Sequence, residues 1–285
     1  HPDVRDDQVP AVAGDFLLRG RPPLRVCAAF NVDPESLRPL ADGSGWRGDG
    51  VVLRPATDSV EAVWAARALG SIVLPDVRIA RPSRATDGRA IVGGWMAYRL
   101  AAGSGDEVAE ERPSVEEIVL VSVKLHQALI NVPRPDFIDK RTDVLARADR
   151  VAWGEEEVEL DEANGGRWFE ILAGAARETK LPNQVVHGSL FRSVRIAGDR
   201  VPTVFDFRPY YRPAEWATAL VVVDAVVANA AGATLIQQWS HLPDWRQMLL
   251  RATMFRLAAH ALDPESAGEE TLDGLRRAAV LVGEV

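Results

Sequence analysis

The chain has 285 residues, nearly half of them apolar and a quarter charged. That is the make-up of a globular protein long enough for one two-lobed domain, and it excludes a disordered or collagen-like chain. Acidic residues outnumber basic ones by 41 to 33, for a formal charge of −8, with no Lys/Arg-rich block, so neither nucleic acid nor an anionic membrane surface is an expected partner.

The opening HPDVRDD carries no apolar h-region, so no secretory signal is expected, and residues 1–23 read as an N-terminal extension of a cytoplasmic protein. LRVCAAFNV (24–32) and GVVLRPA (50–56) read as strands, separated by the glycine-rich turn ADGSGWRGDG (41–50). Cys27, the single cysteine, excludes an intramolecular disulfide and a cysteine-rich metal site, and its apolar surroundings suit a buried structural thiol. DSVEAVWAARALG (58–70) has helical spacing at Val60, Val63, Trp64 and Leu69, with Ser59 to cap it and Gly70 to stop it. SIVLPDVRIARP (71–82) and GRAIVGGWMAYRLA (88–101) follow as strands around the turn SRATDG. Residues 24–102 thus read as a small lobe of antiparallel sheet with one helix, and the polar stretch 103–112 as a linker.

Residues 113–285 read as a helical lobe. PSVEEIVLVSVKLHQAL (113–129) opens on a capping box, Ser114 with Glu117, and keeps an apolar stripe through Ile118, Val121, Leu125 and Leu129. A helix over 166–178 precedes a small β insert (about 184–207) built from QVVHG, SVRIAG and PTVFDF, and three long helices follow at 213–231, 243–263 and 268–283. The apolar run 217–236 is long enough to suggest a membrane span, but Asp224 near its middle would cost ~3 kcal/mol in lipid. A buried helix of a soluble protein is expected instead. His126, on the apolar stripe, reads as a satisfied core histidine. His241 and His260 have no carboxylate or cysteine at metal-ligand spacing, so no zinc site is expected.

Taken in order, GDGVVLRP, IARP, DGR, GGWMAYRLAAG, LHQAL, PRPDF, VVHGSL and VFDFRPYYRP give the chain a family likeness. From about residue 24 to 285 it resembles the protein-kinase-like fold of the aminoglycoside phosphotransferases and related small-molecule kinases, and within them an actinobacterial branch with degenerate catalytic motifs. The resemblance implies an α+β, bilobal fold with a cleft between the lobes, and ATP or GTP with magnesium as cofactor. In that family a glycine-rich turn covers the phosphates, and a lysine paired with a helix glutamate holds them. A His-Gly-Asp loop supplies the base, an asparagine further on binds magnesium, and so does the aspartate of an Asp-Phe motif. Phosphoryl transfer needs each of these as a charge at a fixed place.

Carried onto this sequence, the pattern breaks repeatedly. Gly43 and Gly45 fall in the turn, and Arg54 stands where the lysine belongs, with Glu61 as its candidate helix partner. An arginine fork does not substitute freely for an ammonium at a phosphate site. The Arg54–Glu61 pair therefore has two open readings, phosphate binding or a purely structural tie. His187 and Gly188 match the loop, with His187 as scaffold, but the base position is Ser189, and loss of a general base costs about 10²–10⁴ in rate. The asparagine position falls on Ser193 or Val194. Asp206 matches the metal-binding aspartate, or survives as an ion-pair or capping residue.

The expected function is a catalytically degenerate phosphotransferase-like protein, a pseudokinase. It would bind or scaffold an unidentified protein or small molecule, with weak or no nucleotide binding and with no cofactor as the limiting case. The alternative is an active phosphotransferase acting on a small-molecule hydroxyl, with Asp199 or Asp224 supplying the base. Two further readings, nucleotidyl transfer and Ser189 as a covalent nucleophile, have less behind them. The first has only Asp206 as a visible ligand, and the second lacks a nucleophile elbow.

Overall fold

The computed structural model describes residues 20–40, 45–56, 59–99, 112–196, 200–266 and 268–284. Gly43, Asp199 and nearly all of the linker stretch lie outside the described residues. The first described element corrects an expectation. Residues 24–32 form no strand; they carry helix α1 (Leu24–Phe30), whose buried residues are Val26, Cys27 and Phe30. That is the i, i+1, i+4 spacing of a helix face, which a seven-residue window confuses with alternation. Asn31 closes the helix in the left-handed conformation, φ 56°. Cys27 is fully buried, and burial pushes its thiol up from the usual value, as befits a structural cysteine.

Six short strands follow: β1 (Arg38–Pro39), β2 (Trp46–Gly48), β3 (Val51–Pro55), β4 (Arg78–Ile79), β5 (Pro82–Ser83) and β6 (Trp95–Arg99), with helix α2 (Ser59–Gly70) between β3 and β4. Five of them make an antiparallel sheet in the order β1-β2-β3-β6-β5. The long strands expected over 71–82 and 88–101 are cut down for local reasons. Pro75 and Pro82 cannot donate to a ladder, and Gly93 and Gly94, both at positive φ, turn the chain just before β6.

The helical lobe begins with α3 (Val115–Leu129), whose capping box forms as expected, Ser114 and Glu117 bonding reciprocally at 2.8 and 3.2 Å. Next comes α4 (Val144–Trp153), absent from the sequence reading, capped by Asp143 and ended by left-handed Gly154. The helix expected over 166–178 is the shorter α5 (Arg167–Ala173), entered through a π turn at Glu162–Gly166. The β insert consists of β7 (Gln184–His187), β8 (Val194–Ile196), β9 (Pro202–Val204) and β10 (Pro209–Arg212), and the chain closes with α6 (Ala214–Val227), α7 (Ala233–Gln238), α8 (Trp245–Leu262) and α9 (Gly268–Gly283). Where three closing helices were expected there are four, α7 being a short extra turn between two of them.

Helix α6 explains the apolar run at 217–236. It is buried continuously from Trp216 to Val223 and packs against α3, α8 and α9. No helix among the described residues is long and apolar enough to cross a membrane. The larger core runs through this lobe and takes in Ala65 and Leu69 of α2 as well, while Val26, Cys27, Phe30, Leu53 and Ala97 form a second, smaller core. Helix α2 thus belongs by sequence to the first lobe and packs into the core of the second. A strand also crosses over: β4 pairs in parallel with β9, Arg78 opposite Thr203, and the Ala80 N–H donates to the Val204 carbonyl at 2.8 Å.

Candidate functional site

The loop after β7 is fixed from below by close packing. β7 and β10 are antiparallel, with His187 opposite Pro209 and Val186 opposite Tyr210. Tyr210, Trp216 and Phe255 stack edge-on beneath them at centroid distances of 5.5–5.6 Å. Gly188 lies directly on that cluster, since a Cβ there would stand 2.2 Å from the Tyr210 ring. Its N–H donates to the Arg208 carbonyl at 2.9 Å, and its own carbonyl accepts from Arg256 at 3.1 Å.

Two buried histidines hold the loop through a chain of hydrogen bonds in which backbone donors fix both ring tautomers. The Ser189 N–H can only donate, so His187 Nδ1 accepts (3.1 Å) and Nε2 carries the proton toward the Phe205 carbonyl (3.3 Å). The His187 N–H donates to His126 Nε2 at 3.0 Å. His126 Nδ1 is therefore protonated and donates to Ser122 Oγ (3.2 Å), which shares a further hydrogen bond with the Thr218 hydroxyl (3.0 Å). Both rings are neutral. Burial lowers His126 to about 3, helped by the neighbouring His187, and burial lowers His187 to about 4.

Ser189 is half-buried, and its carbonyl accepts the hydroxyl of Ser193 at 2.8 Å. Ser193 is buried, so its side chain is committed to the loop's own backbone. Val194 is buried in β8 opposite Val204. The positions where a carboxylate and an amide were sought therefore present a serine hydroxyl, a serine turned inward and a buried valine. Asp224 is held by Arg256 through two bonds, 2.7 and 2.6 Å, and Arg256 also braces Gly188. That places Asp224 behind the loop as part of its support.

Across the cleft, Arg54 of β3 does reach an acidic group, and that group is Asp206, at 3.1 Å. Glu61 of α2 lies 3.8 Å from Arg141 of the helical lobe. Gly45 sits over β3, where a Cβ would stand 2.5 Å from the Leu53 carbonyl and 2.8 Å from Arg54 Cγ. Asp206 holds a left-handed backbone, φ 51°, a conformation that aspartate and asparagine adopt more readily than other non-glycine residues. Burial alone would raise its carboxyl, but the charges of Arg54 and then Arg208 outweigh burial and leave it below the usual range. Neither Arg141 nor Arg208 was legible as a site residue: Arg141 reads as an unremarkable loop arginine, and Arg208 is marked only by following Asp206-Phe207.

A cavity of about 50 Å³ between the lobes is lined by Glu61, Tyr98, Asp206, Phe207 and Arg208 among others. The residues present do not fit a divalent ion. Asp206 already has Arg54 as its cation, Ser193 points into the loop, and the described residues contain no cluster of three or more His, Cys, Asp or Glu able to hold a metal. A second cavity, about 230 Å³, is lined by Arg134, Arg141, Arg150 and Arg212. Its guanidinium groups already have carboxylate partners: Arg134 with Asp139, Arg150 with Glu156, and Arg212 with both Asp149 and Glu155. An incoming anion would have to displace one of these carboxylates.

No family model matches the sequence, and no curated protein matches it. Among solved structures, the chain is similar to amicoumacin kinase hAmiN in complex with AMP-PNP, Ca2+ and Ami, at 13% identity and a TM-score of 0.61 over 91% of both chains. It is also similar to choline kinase LicA from Streptococcus pneumoniae, at 9% identity and a TM-score of 0.50 over 85% of this chain and 90% of that one. An apo thermostable mutant of aminoglycoside phosphotransferase APH(4)-Ia matches at 13% identity and a TM-score of 0.49, over 84% and 89%. The first two likenesses show the fold, the bilobal kinase-like α+β architecture that the motif order implied.

Proposed function

We propose that this chain, built on the kinase-like fold, is a pseudokinase: it binds or scaffolds a partner and does not transfer phosphate. One observation carries the reading. The loop that should present a base and a metal ligand presents Ser189 and Ser193, with the Ser193 hydroxyl bonded to the Ser189 carbonyl. Serine cannot hold a proton-accepting charge at neutral pH, and a lost general base alone lowers rate about 10²–10⁴-fold. The frame around the gap, His187, Gly188 and Arg256, is fully bonded. What persists is therefore a rigid scaffold, as a binding role requires.

A second reading has an observation of its own. Asp206 lines the cavity between the lobes, and the solved neighbours carry names of kinases, one of them bound to a nucleotide analogue and a divalent ion. On that reading the chain is an ATP- or GTP-dependent phosphotransferase acting on a small-molecule hydroxyl, with rearranged groups. Thermal melting separates the two, because a ligand at a hundred times its Kd stabilises the native state by about 2.7 kcal/mol. Millimolar ATP or GTP, with or without magnesium, is expected to leave Tm unchanged. A magnesium-dependent rise that disappears in Asp206→Ala, together with phosphate release, would overturn the pseudokinase reading.

A further inference from the structure

Two ion pairs cross the cleft in opposite senses. In the first, the cation is on the sheet lobe and the anion on the helical lobe: Arg54 to Asp206, 3.1 Å, with side chains 16% and 34% exposed. In the second, the anion is on the sheet-lobe side and the cation on the helical lobe: Glu61 to Arg141, 3.8 Å, with side chains 16% and 8% exposed. Arg141 is anchored in turn by Asp143, by the Pro209 carbonyl at 3.0 Å and by the face of the Tyr210 ring. Trp64 of α2 meets Phe137 and Phe207 at centroid distances of 5.7 and 6.4 Å. The Ala80–Val204 hydrogen bond and a surface pair, Lys124 with Asp76, span the same junction.

We propose that Arg54 is the resident cation of this cleft, and that with the Glu61–Arg141 pair it clasps the two lobes shut without nucleotide or metal. The geometry asks for this division of labour. A partly buried carboxylate needs a counter-charge, and here a covalently attached guanidinium supplies it, 3.1 Å from Asp206. Exchange of partners is the second element. The β3 cation and the α2 anion each pair with a residue of the helical lobe, so an opening that moves β3 and α2 together away from that lobe breaks both pairs and also lifts Ala65 and Leu69 of α2 from its core. The proposal rests on the reading that the cleft no longer runs phosphoryl transfer, but the two fail on different measurements.

The test uses the full chain and hydrogen exchange at single amides, which reports local opening directly. The probe is the Ala80 amide, because its bond spans the lobes, with the Leu250 amide deep in α8 as internal reference. Arg54→Met and Asp206→Asn are each expected to speed exchange at Ala80 by about tenfold or more relative to Leu250, with Arg54→Lys less affected. The double variant is expected to be no faster than the faster single one, since the two act on one interaction. Asp206→Asn keeps size and tolerance of the left-handed backbone, so it carries the test if Arg54→Met fails to fold. Millimolar Mn2+ is expected to leave the Phe207 amide signal of the wild-type chain sharp.

Ala80 exchange indifferent to both substitutions, or Mn2+ broadening of Phe207 in the wild type, would overturn the clasp. Phosphate transfer by the wild type with Ala80 still dependent on Arg54 would overturn the pseudokinase reading and leave the clasp standing.

Discussion

Gly188 shows how tightly single residues are specified around the loop. A methyl group there would meet the Tyr210 ring at 2.2 Å, and that ring is pinned by Trp216 and Phe255. Gly188→Ala is expected to cost at least 1–3 kcal/mol, the usual range for overpacking, read as a lower urea midpoint with unchanged slope. His126 and His187 make a second claim at this scale. Both rings are buried and neutral, with values lowered to about 3 and about 4, against about 6.5 in the unfolded chain. The unfolded chain therefore binds more protons below pH 6.5, and stability must fall as pH drops from there toward the folded values. The loss at pH 5 relative to pH 8 is about 2 kcal/mol for each ring. Urea titrations across that range should show it, and His126→Gln should flatten the slope.

At the scale of elements, the locally determined ones were legible. Helix α3 announces itself through a capping box and a regular stripe, and Ser114→Ala is expected to cost about 1 kcal/mol by removing that cap, checked by chemical denaturation. Helix α4 was missed although Ala146, Ala148, Val151 and Ala152 recur on its buried face at helical spacing, because that face is built mostly from alanines set among arginines and aspartates. Its real markers are Asp143 at the start and Gly154 at the end, which a search for caps alone would have found. Helix α1 was misread because seven residues are too few to separate the two periods. Strands β4 and β5 have two residues each and exist because partners elsewhere hold them, information that no local window contains. The site divides the same way. His187-Gly188-Ser189 and Asp206-Phe207 stood out as two short motifs, whereas the Arg54–Asp206 and Glu61–Arg141 pairings depend on how the lobes meet.

For the molecule as a whole, the shortfall in chemistry and the closure of the cleft reinforce each other. Restoring the loop, Ser189→Asp with Ser193→Asn, supplies the missing groups but leaves Arg54 on Asp206 and the cavity at about 50 Å³. That double variant is expected to remain without measurable ATP- or GTP-dependent phosphate release. Adding Arg54→Lys, which keeps a cation beside Asp206, is expected to leave it inactive as well. A coupled nucleotidase assay on purified protein decides both.

The pairing of β4 with β9 has a consequence for how the chain is made. Arg78 must find Thr203, and α2 must find a core built largely from residues beyond 115. During synthesis the sheet lobe emerges first, with one edge and one helix still lacking their partners. Closing so long a loop is entropically costly and slow compared with local contacts, so the lobe that comes first from the ribosome should be completed last. Until then its exposed Val60, Val63 and Val73 stand beside an unfinished junction, so the sheet lobe is open to wrong association until the helical lobe has been made.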